Sequence, residues 1–225
     1  MTDQSSTVNR IVFTGPSGAL GSAVALYLRG EGWELIGIDL SEQGPEGIGF
    51  YGGIDLTDQD AVENALARIA EGGKIAGLVN IAGGFIWETL GDSDAQSWER
   101  MFRMNVLSPA NTSRAALPHF AEHGSIVNIG AAAAKAAAGM GAYTAAKSGV
   151  ARLTEALAEE VKDQGLRVNA VMPSIIDTPA NRAAMGEGDA DKWVAPEELA
   201  RVIAFLLSKN ASAITGACIP VTGRV

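Results

Sequence analysis

Short runs of apolar, β-branched residues alternate along this chain with longer stretches whose apolar positions recur every three or four residues. The first run, Arg10–Thr14 (RIVFT), leads through a glycine-rich turn into a helical pattern that lasts to about Arg29. A second strand is predicted at Trp33–Ile38, then a GPEG loop at Gly44–Gly47 and a short, poor strand at Gly49–Ile54. Asp58 is placed to cap a helix running to about Ala70, which Gly72 and Gly73 end. The fourth strand is Ile75–Val79, and a long helix is expected from Ser97 to about Glu122. A strand at Ile126–Ile129, a helix from Ala142 to Lys162 and a strand at Leu166–Met172 follow, the last ended by Pro173. Ser174–Val194 is polar and irregular, an excursion suited to covering a substrate. Pro196 opens a helix to Ser208, and Ala217–Val221 closes the chain as a strand. This alternation implies an α/β fold of the doubly wound kind. A parallel seven-stranded sheet lies between two layers of helices, and ligands bind at its carboxyl edge. Residues 1–9 read as a disordered lead-in to one domain spanning 10–225.

The totals narrow the function more than the fold. With 225 residues, 47% of them hydrophobic, the chain can bury one sizeable core. A net charge of −9 without a basic run argues against nucleic acid or an anionic membrane as partner. The N-terminus is polar, with no signal-like apolar region, so a cytoplasmic location is expected. No apolar run approaches the roughly 18–20 residues of a membrane span. One cysteine, Cys218, rules out an intrachain disulfide and a cysteine-cluster metal site, and no metal is expected. The two histidines, His119 and His123, fall near a predicted helix C-terminus, where a catalytic role is improbable.

The chemistry concentrates at strand ends. Gly15, Gly18 and Gly21 follow the first strand and open a helix, the context in which a glycine motif cradles a pyrophosphate. The second strand ends on Asp39, where a carboxylate accepts both ribose hydroxyls of an adenosine and repels a 2′-phosphate. No arginine or lysine follows in the next loop to offset that repulsion, so NAD(H) is expected over NADP(H). Small residues at Asn80–Gly84 let a cofactor lie against backbone. Phe85 and Trp87 either cover a planar ligand or pack beneath a loop. Asn105, in an apolar stretch, needs hydrogen-bond partners. Tyr143 and Lys147, four apart on one helix face, form a proton-transfer pair. The ammonium is expected to pull the phenol down from its ordinary pKa of about 10.

Together these residues resemble the short-chain dehydrogenase/reductase family over nearly the whole chain, from Val12 to Gly223. TGPSGALG at Thr14–Gly21 looks like the family's cofactor turn, and NIAG at Asn80–Gly83 matches its NNAG segment with one change. VMPSIIDTP at Val171–Pro179 is similar to its PG-x-x-x-T segment, and ITG at Ile214–Gly216 to its final turn. The resemblance implies a Rossmann fold and an NAD-linked oxidoreductase acting on a small molecule, assembled as a homotetramer or homodimer through the helices around 97–122 and 142–162. It assigns Tyr143 to proton transfer, Lys147 to tuning it and holding the nicotinamide ribose, and Asn105 to ordering a relay water. Cofactor contacts would come from Gly15, Ser17, Gly18, Ala19, Leu20, Gly21 and Asp39, from Asp55 and Leu56 at the adenine, and from Asn80, Ala82 and Gly83. Tyr143, Lys147, Pro173, Ile176 and Thr178 complete the set, Thr178 holding the carboxamide.

One departure bears on mechanism. The family's catalytic serine is expected about thirteen residues before Tyr143, where Gly130 stands, and no hydroxyl is available there. Three explanations remain open. The substrate is an electron-poor ring or iminium that needs no extra donor; or the Gly130 N–H or the 174–194 loop supplies the donor; or the site only binds nucleotide, as a sensor or scaffold. GALGS, AGG before aromatics, GMGAYTAAK and IDTPANRAAM resemble the dihydropteridine reductase branch, which also lacks the serine and prefers NADH. Gly130, Phe85 and Trp87 would then border the substrate.

Overall fold

The computed structural model describes residues 9–132 and 138–225. The predicted lead-in at 1–9, apart from its last residue, and most of the alanine-rich run at 131–138 lie outside the described residues. Seven parallel strands stand in the order β3-β2-β1-β4-β5-β6-β7. They are β1 (Arg10–Thr14), β2 (Glu34–Ile38), β3 (Gly49–Tyr51), β4 (Ile75–Asn80), β5 (Phe120–Ile129), β6 (Arg167–Pro173) and β7 (Cys218–Val221). The helices are α1 (Ala19–Gly30), α2 (Gln59–Ala70), α3 (Ala95–Phe102), α4 (Ser108–Ala116), α5 (Gly141–Val161), α6 (Pro179–Met185) and α7 (Pro196–Leu207). The sheet grows outward in both directions from β1 and β4, and the crevice where the winding reverses opens at their carboxyl ends.

Strand alternation divides the core. Ile11, Phe13, Val79 and Val127 face α1 and α7, where they meet Val24, Leu28, Leu199, Ile203 and Leu206. The neighbouring Val12, Leu78 and Ile126 point the other way, against Val62 and Leu66 of α2 and Leu157 and Val161 of α5. A buried polar chain crosses this second layer. Asn80 donates to Ser113 Oγ (3.1 Å) and Asn128 Oδ1 (2.8 Å), Thr112 donates to Asn80 Oδ1 (2.6 Å), and Asn128 donates to Thr154 Oγ1 (2.9 Å).

The helix predicted from Ser97 to Glu122 is present as one continuous helical run from Ala95 to His119. It comprises α3, a π turn at Arg103–Leu107, α4 and a 3-10 turn at Leu117–His119, after which the chain enters β5 at Phe120. Pro109 cannot donate an α-helical bond and sits just after the π turn inside this run, while Pro118 lies in its closing turn, so the run ends about three residues earlier than expected. His119 closes the 3-10 turn. His123, with φ 61°, lies in β5, within the irregular stretch that precedes regular pairing at Ser125. The excursion after β6 is also less irregular than predicted, since it contains α6 and a 3-10 turn at Ala190–Lys192. Asp58 caps α2 as expected, accepting from the N–H groups of Asp60 (3.0 Å) and Ala61 (3.1 Å). Among the described residues no helix is long and apolar enough to cross a membrane.

At the opposite edge of the sheet, Arg167 is buried and donates to the last carbonyls of α7, Leu206 (2.7 Å) and Leu207 (3.5 Å), and to Ser208 just beyond (3.1 Å). A cation at a helix C-terminus satisfies carbonyls that have no intrahelical donor. Arg167→Met leaves them unpaired in the interior and is expected to cost about 3 kcal/mol in urea unfolding.

Candidate functional site

A cleft of about 780 Å³ runs along the carboxyl ends of β1, β2 and β4. The turn after β1 forms its floor. Gly15 adopts φ 70°, and a Cβ there would come within 3.1 Å of the Ala82 backbone, so glycine lets the two loops touch. A Cβ on Gly21 would overlap the Gly15 carbonyl. Gly18 differs: a Cβ there would meet only Gly15 O, at 3.6 Å, so packing does not demand a glycine and the room it leaves lies in the cleft. Gly18 is also the N-cap of α1 and supplies no side-chain cap. A helix N-terminus with uncapped amides facing a cleft fits a phosphate group. Thr14 Oγ1 accepts from the N–H groups of Ile81 (3.0 Å) and Ala82 (3.1 Å), fixing the loop after β4 against the turn after β1.

Of the residues expected at a cofactor, Gly15, Ser17, Gly18, Ala19, Leu20, Gly21, Asp39, Asp55, Leu56, Ala82, Gly83 and Thr178 line this one cleft. The Asp39 carboxylate is held in place by the N–H groups of Ser17 (3.1 Å) and Ser41 (3.2 Å). Leu40, Ile54, Thr57, Ile81, Met104, Ser108, Pro179 and Ala180 line the cleft as well. They were missed because their apolar or backbone contributions carry no motif; adjacency to Asp39, Asp55 and Thr178 was the available signal. Tyr143, Lys147, Pro173 and Ile176 stand outside the lining, Lys147 behind Gly83 and Ile176 in a bridge to Val194. Asn80 requires a correction. Its side chain is spent on the buried chain to Ser113, Asn128 and Thr112 and turns away from the cleft.

Asn105, Lys147 and Gly83 meet at the inner end. A Cβ on Gly83 would sit 2.7 Å from Asn105 Oδ1 and 3.6 Å from Lys147 Nζ. Asn105 lies in the π turn, a frequent companion of functional sites. Its amide donates to the carbonyls of Gly84 and Met101 (both 3.0 Å) and accepts from Gly84 N–H (3.2 Å). Lys147 Nζ donates to Ile129 O (2.8 Å) and lies 5.9 Å from the centre of the Tyr143 ring. Phe85, exposed, meets that ring edge-on at 4.9 Å.

The expected electrostatics are reversed. Burial pushes the Tyr143 phenol up to about 12 and the Lys147 ammonium down to about 8. Desolvation disfavours the charged form of each, and that is the cause of both shifts. Gly130 is corrected too. Its N–H already donates to Val171 O (2.9 Å), so it is not the replacement donor, and a Cβ there would overlap the Met172 sulfur. Trp87 covers Gly139, on which a Cβ would overlap the indole, while staying exposed itself.

Comparison with known proteins bears on this geometry. Residues 16–223 match the family described as enoyl-(acyl carrier protein) reductase. The chain is 31% identical to the 3-oxoacyl-[acyl-carrier-protein] reductase FabG of Escherichia coli K12, over 93% of this chain and 94% of that protein. The solved structure of Thermoplasma acidophilum aldohexose dehydrogenase superposes with a TM-score of 0.88 at 28% identity, covering 96% of this chain and 93% of that one. ElxO with NADP bound superposes at 0.87 and 25% identity, covering 96% and 98%.

The Lys147 shift has a stability consequence. Its folded pKa lies below the ordinary 10.5, so between about pH 8 and 10 the unfolded chain holds the extra proton and stability rises with pH. Tyr143, shifted upward from 10.0, opposes this only above pH 10. Urea unfolding of the wild type is expected to gain about 2 kcal/mol from pH 7 to pH 10 relative to Lys147→Met.

Proposed function

The chain belongs to the short-chain dehydrogenase/reductase family, an oxidoreductase family that uses a nicotinamide dinucleotide, and from that premise we propose an NAD(H)-dependent reductase or dehydrogenase in which Tyr143 moves the proton. The observation that carries this reading is the convergence of Asn105, Lys147 and Gly83 at the inner end of a dinucleotide-sized cleft, with Tyr143 on the same helix face as Lys147.

When bound, the nicotinamide supplies or accepts the hydride. The glycine turn and the uncapped start of α1 would hold the pyrophosphate. Asp39 would take the ribose diol, and its fixed carboxylate favours NAD(H) by repelling a 2′-phosphate. Asp55 and Leu56 would flank the adenine and Thr178 the carboxamide. Tyr143 is protonated at neutral pH, which suits donation to a developing alkoxide in the reductive direction. Lys147 is cationic there and stabilises the phenolate left behind. Its anchor on Ile129 O fixes that charge. Asn105 holds the loop after β4 through Gly84. Pro109, four residues on, lacks the N–H that would donate an α-helical bond to the Asn105 carbonyl, which supports a water-ordering role for that carbonyl. Self-assembly as a dimer or tetramer is supported by the exposed Trp98 and Phe102 of α3.

A specific observation favours an electron-poor planar ring over a simple ketone. The Gly130 N–H is consumed within the sheet, so Gly130 does not supply a donor to the substrate oxygen, while Phe85 stands exposed against the Tyr143 ring. Stacking and a reactive substrate would compensate for the lost donor.

Turnover is read from NADH absorbance with a panel of ketones, aldehydes, quinones and quinonoid dihydropterin. Tyr143→Phe is expected to lower kcat by about a thousandfold while NADH still binds. Binding without oxidation across the whole panel refutes the enzymatic reading and leaves a nucleotide sensor. In Asp39→Ala the ratio of NADPH to NADH dissociation constants is expected to shrink about tenfold. A wild-type preference for NADPH overturns the assignment of Asp39.

A further inference from the structure

We propose that the Asp177–Arg182 ion pair is the clamp that seats α6 on the cleft and so sets affinity for the dinucleotide, with Arg182 as a positioning residue. The proposal rests on reading the cleft as the dinucleotide site.

The helix α6 contributes three consecutive groups, Thr178 at its cap and then Pro179 and Ala180, to the wall of the cleft. Yet it is seven residues long and none of them is buried. A helix of that length does not persist on its own propensity, and this one has no apolar face in the core to hold it. Something polar must supply its position.

The segment before it is secured. Asp177 N–H donates to Val194 O (2.8 Å) and Val194 N–H to Ile175 O (2.9 Å), and Trp193 and Val194 are buried. From that fixed base Arg182 reaches back five residues in a fork, Nε to Asp177 Oδ1 at 2.6 Å and Nη2 to Oδ2 at 2.8 Å. A two-pronged guanidinium–carboxylate contact fixes orientation as well as distance, which a lysine does not. Between the ends of the fork, Thr178 Oγ1 accepts from Asn181 N–H (3.2 Å), and Asn181 Nδ2 donates to Ile176 O (2.8 Å). The fork therefore closes a loop around Thr178, the residue that walls the cleft. Glu187 stands further off, 3.8 Å from Arg182 Nη1. The guanidinium holds the Asp177 carboxyl below the usual carboxylate range, so the pair persists at neutral pH.

Because α6 buries nothing, unseating it should leave global stability intact, and this separates positioning from general structure. Full-length wild type, Arg182→Met and Arg182→Lys are compared by amide hydrogen exchange without ligand, by NADH fluorescence titration and by thermal unfolding. In Arg182→Met the amides of Arg182 and Gly186, which donate within α6, are expected to lose protection. The NADH dissociation constant should rise about tenfold, in proportion to the lost seated fraction. The thermal midpoint should move by less than about 2 °C, and Arg182→Lys should fall between on the first two measures. Unchanged exchange in Arg182→Met overturns the proposal. So does lost protection with unchanged NADH affinity, or an affinity loss that merely tracks a lowered midpoint. If the wild type binds neither NADH nor NADPH, the dinucleotide reading has failed, and the exchange comparison still decides whether the fork seats α6.

Discussion

The buried polar chain through Asn80, Asn128 and Thr154, with Thr112 and Ser113 beside it, is the constraint on which the site depends. All five residues are sealed from solvent. In such surroundings an unpaired amide or hydroxyl costs about 1–3 kcal/mol, so the members must be satisfied together. Satisfying them fixes β4 opposite β5 with Asn80 paired to Asn128, and fixes α4 and α5 against that pair. The loop bearing Gly83 leaves β4 directly after Asn80, and the helix bearing Tyr143 and Lys147 also bears Thr154. The geometry of the candidate site is therefore set one layer below the cleft, by groups that face away from it.

Above that layer, burial rather than pairwise attraction governs the proton chemistry. The same desolvation that keeps the Tyr143 phenol protonated weakens the hold of Lys147 on its own proton. The two groups are therefore driven toward their neutral forms, and the carbonyl of Ile129 is the fixed dipole that steadies the lysine. A cation in that position acts on a phenolate more than on a resting phenol, a bias toward the charge-separated moment of the proposed proton transfer.

Much of this was legible in the sequence, for identifiable reasons. The buried strands β1, β2, β4 and β6 fall where apolar, β-branched runs predict them, because buried parallel strands have little freedom in composition, whereas β5 begins six residues before its predicted start. That the glycine turn and Asp39 line one cleft, and that Tyr143 and Lys147 share one helix face, was legible because those placements depend on spacing along single elements. What failed depends on neighbours in space. No local pattern tells that Pro109 and a π turn rotate Asn105 toward Gly84, that the Asn80 amide turns inward, or that Met172 and Val171 occupy the space and the hydrogen bond at Gly130. The sequence allows both readings of Trp87, and in the structure it packs over Gly139 while most of its ring stays exposed.

The pairing of α1 with α7 over one face of the sheet ties the beginning of the chain to its end. During synthesis, the opposite face acquires its helices roughly in the order they are made, whereas Leu28, Phe13 and Val127 wait for Leu199 and Ile203. Until α7 has left the ribosome, that face of the interior stays wet and adhesive. Such a nascent chain is a natural client for chaperones that shield apolar surface, and loss of the last thirty or so residues leaves that face bare however sound the cleft-forming loops are.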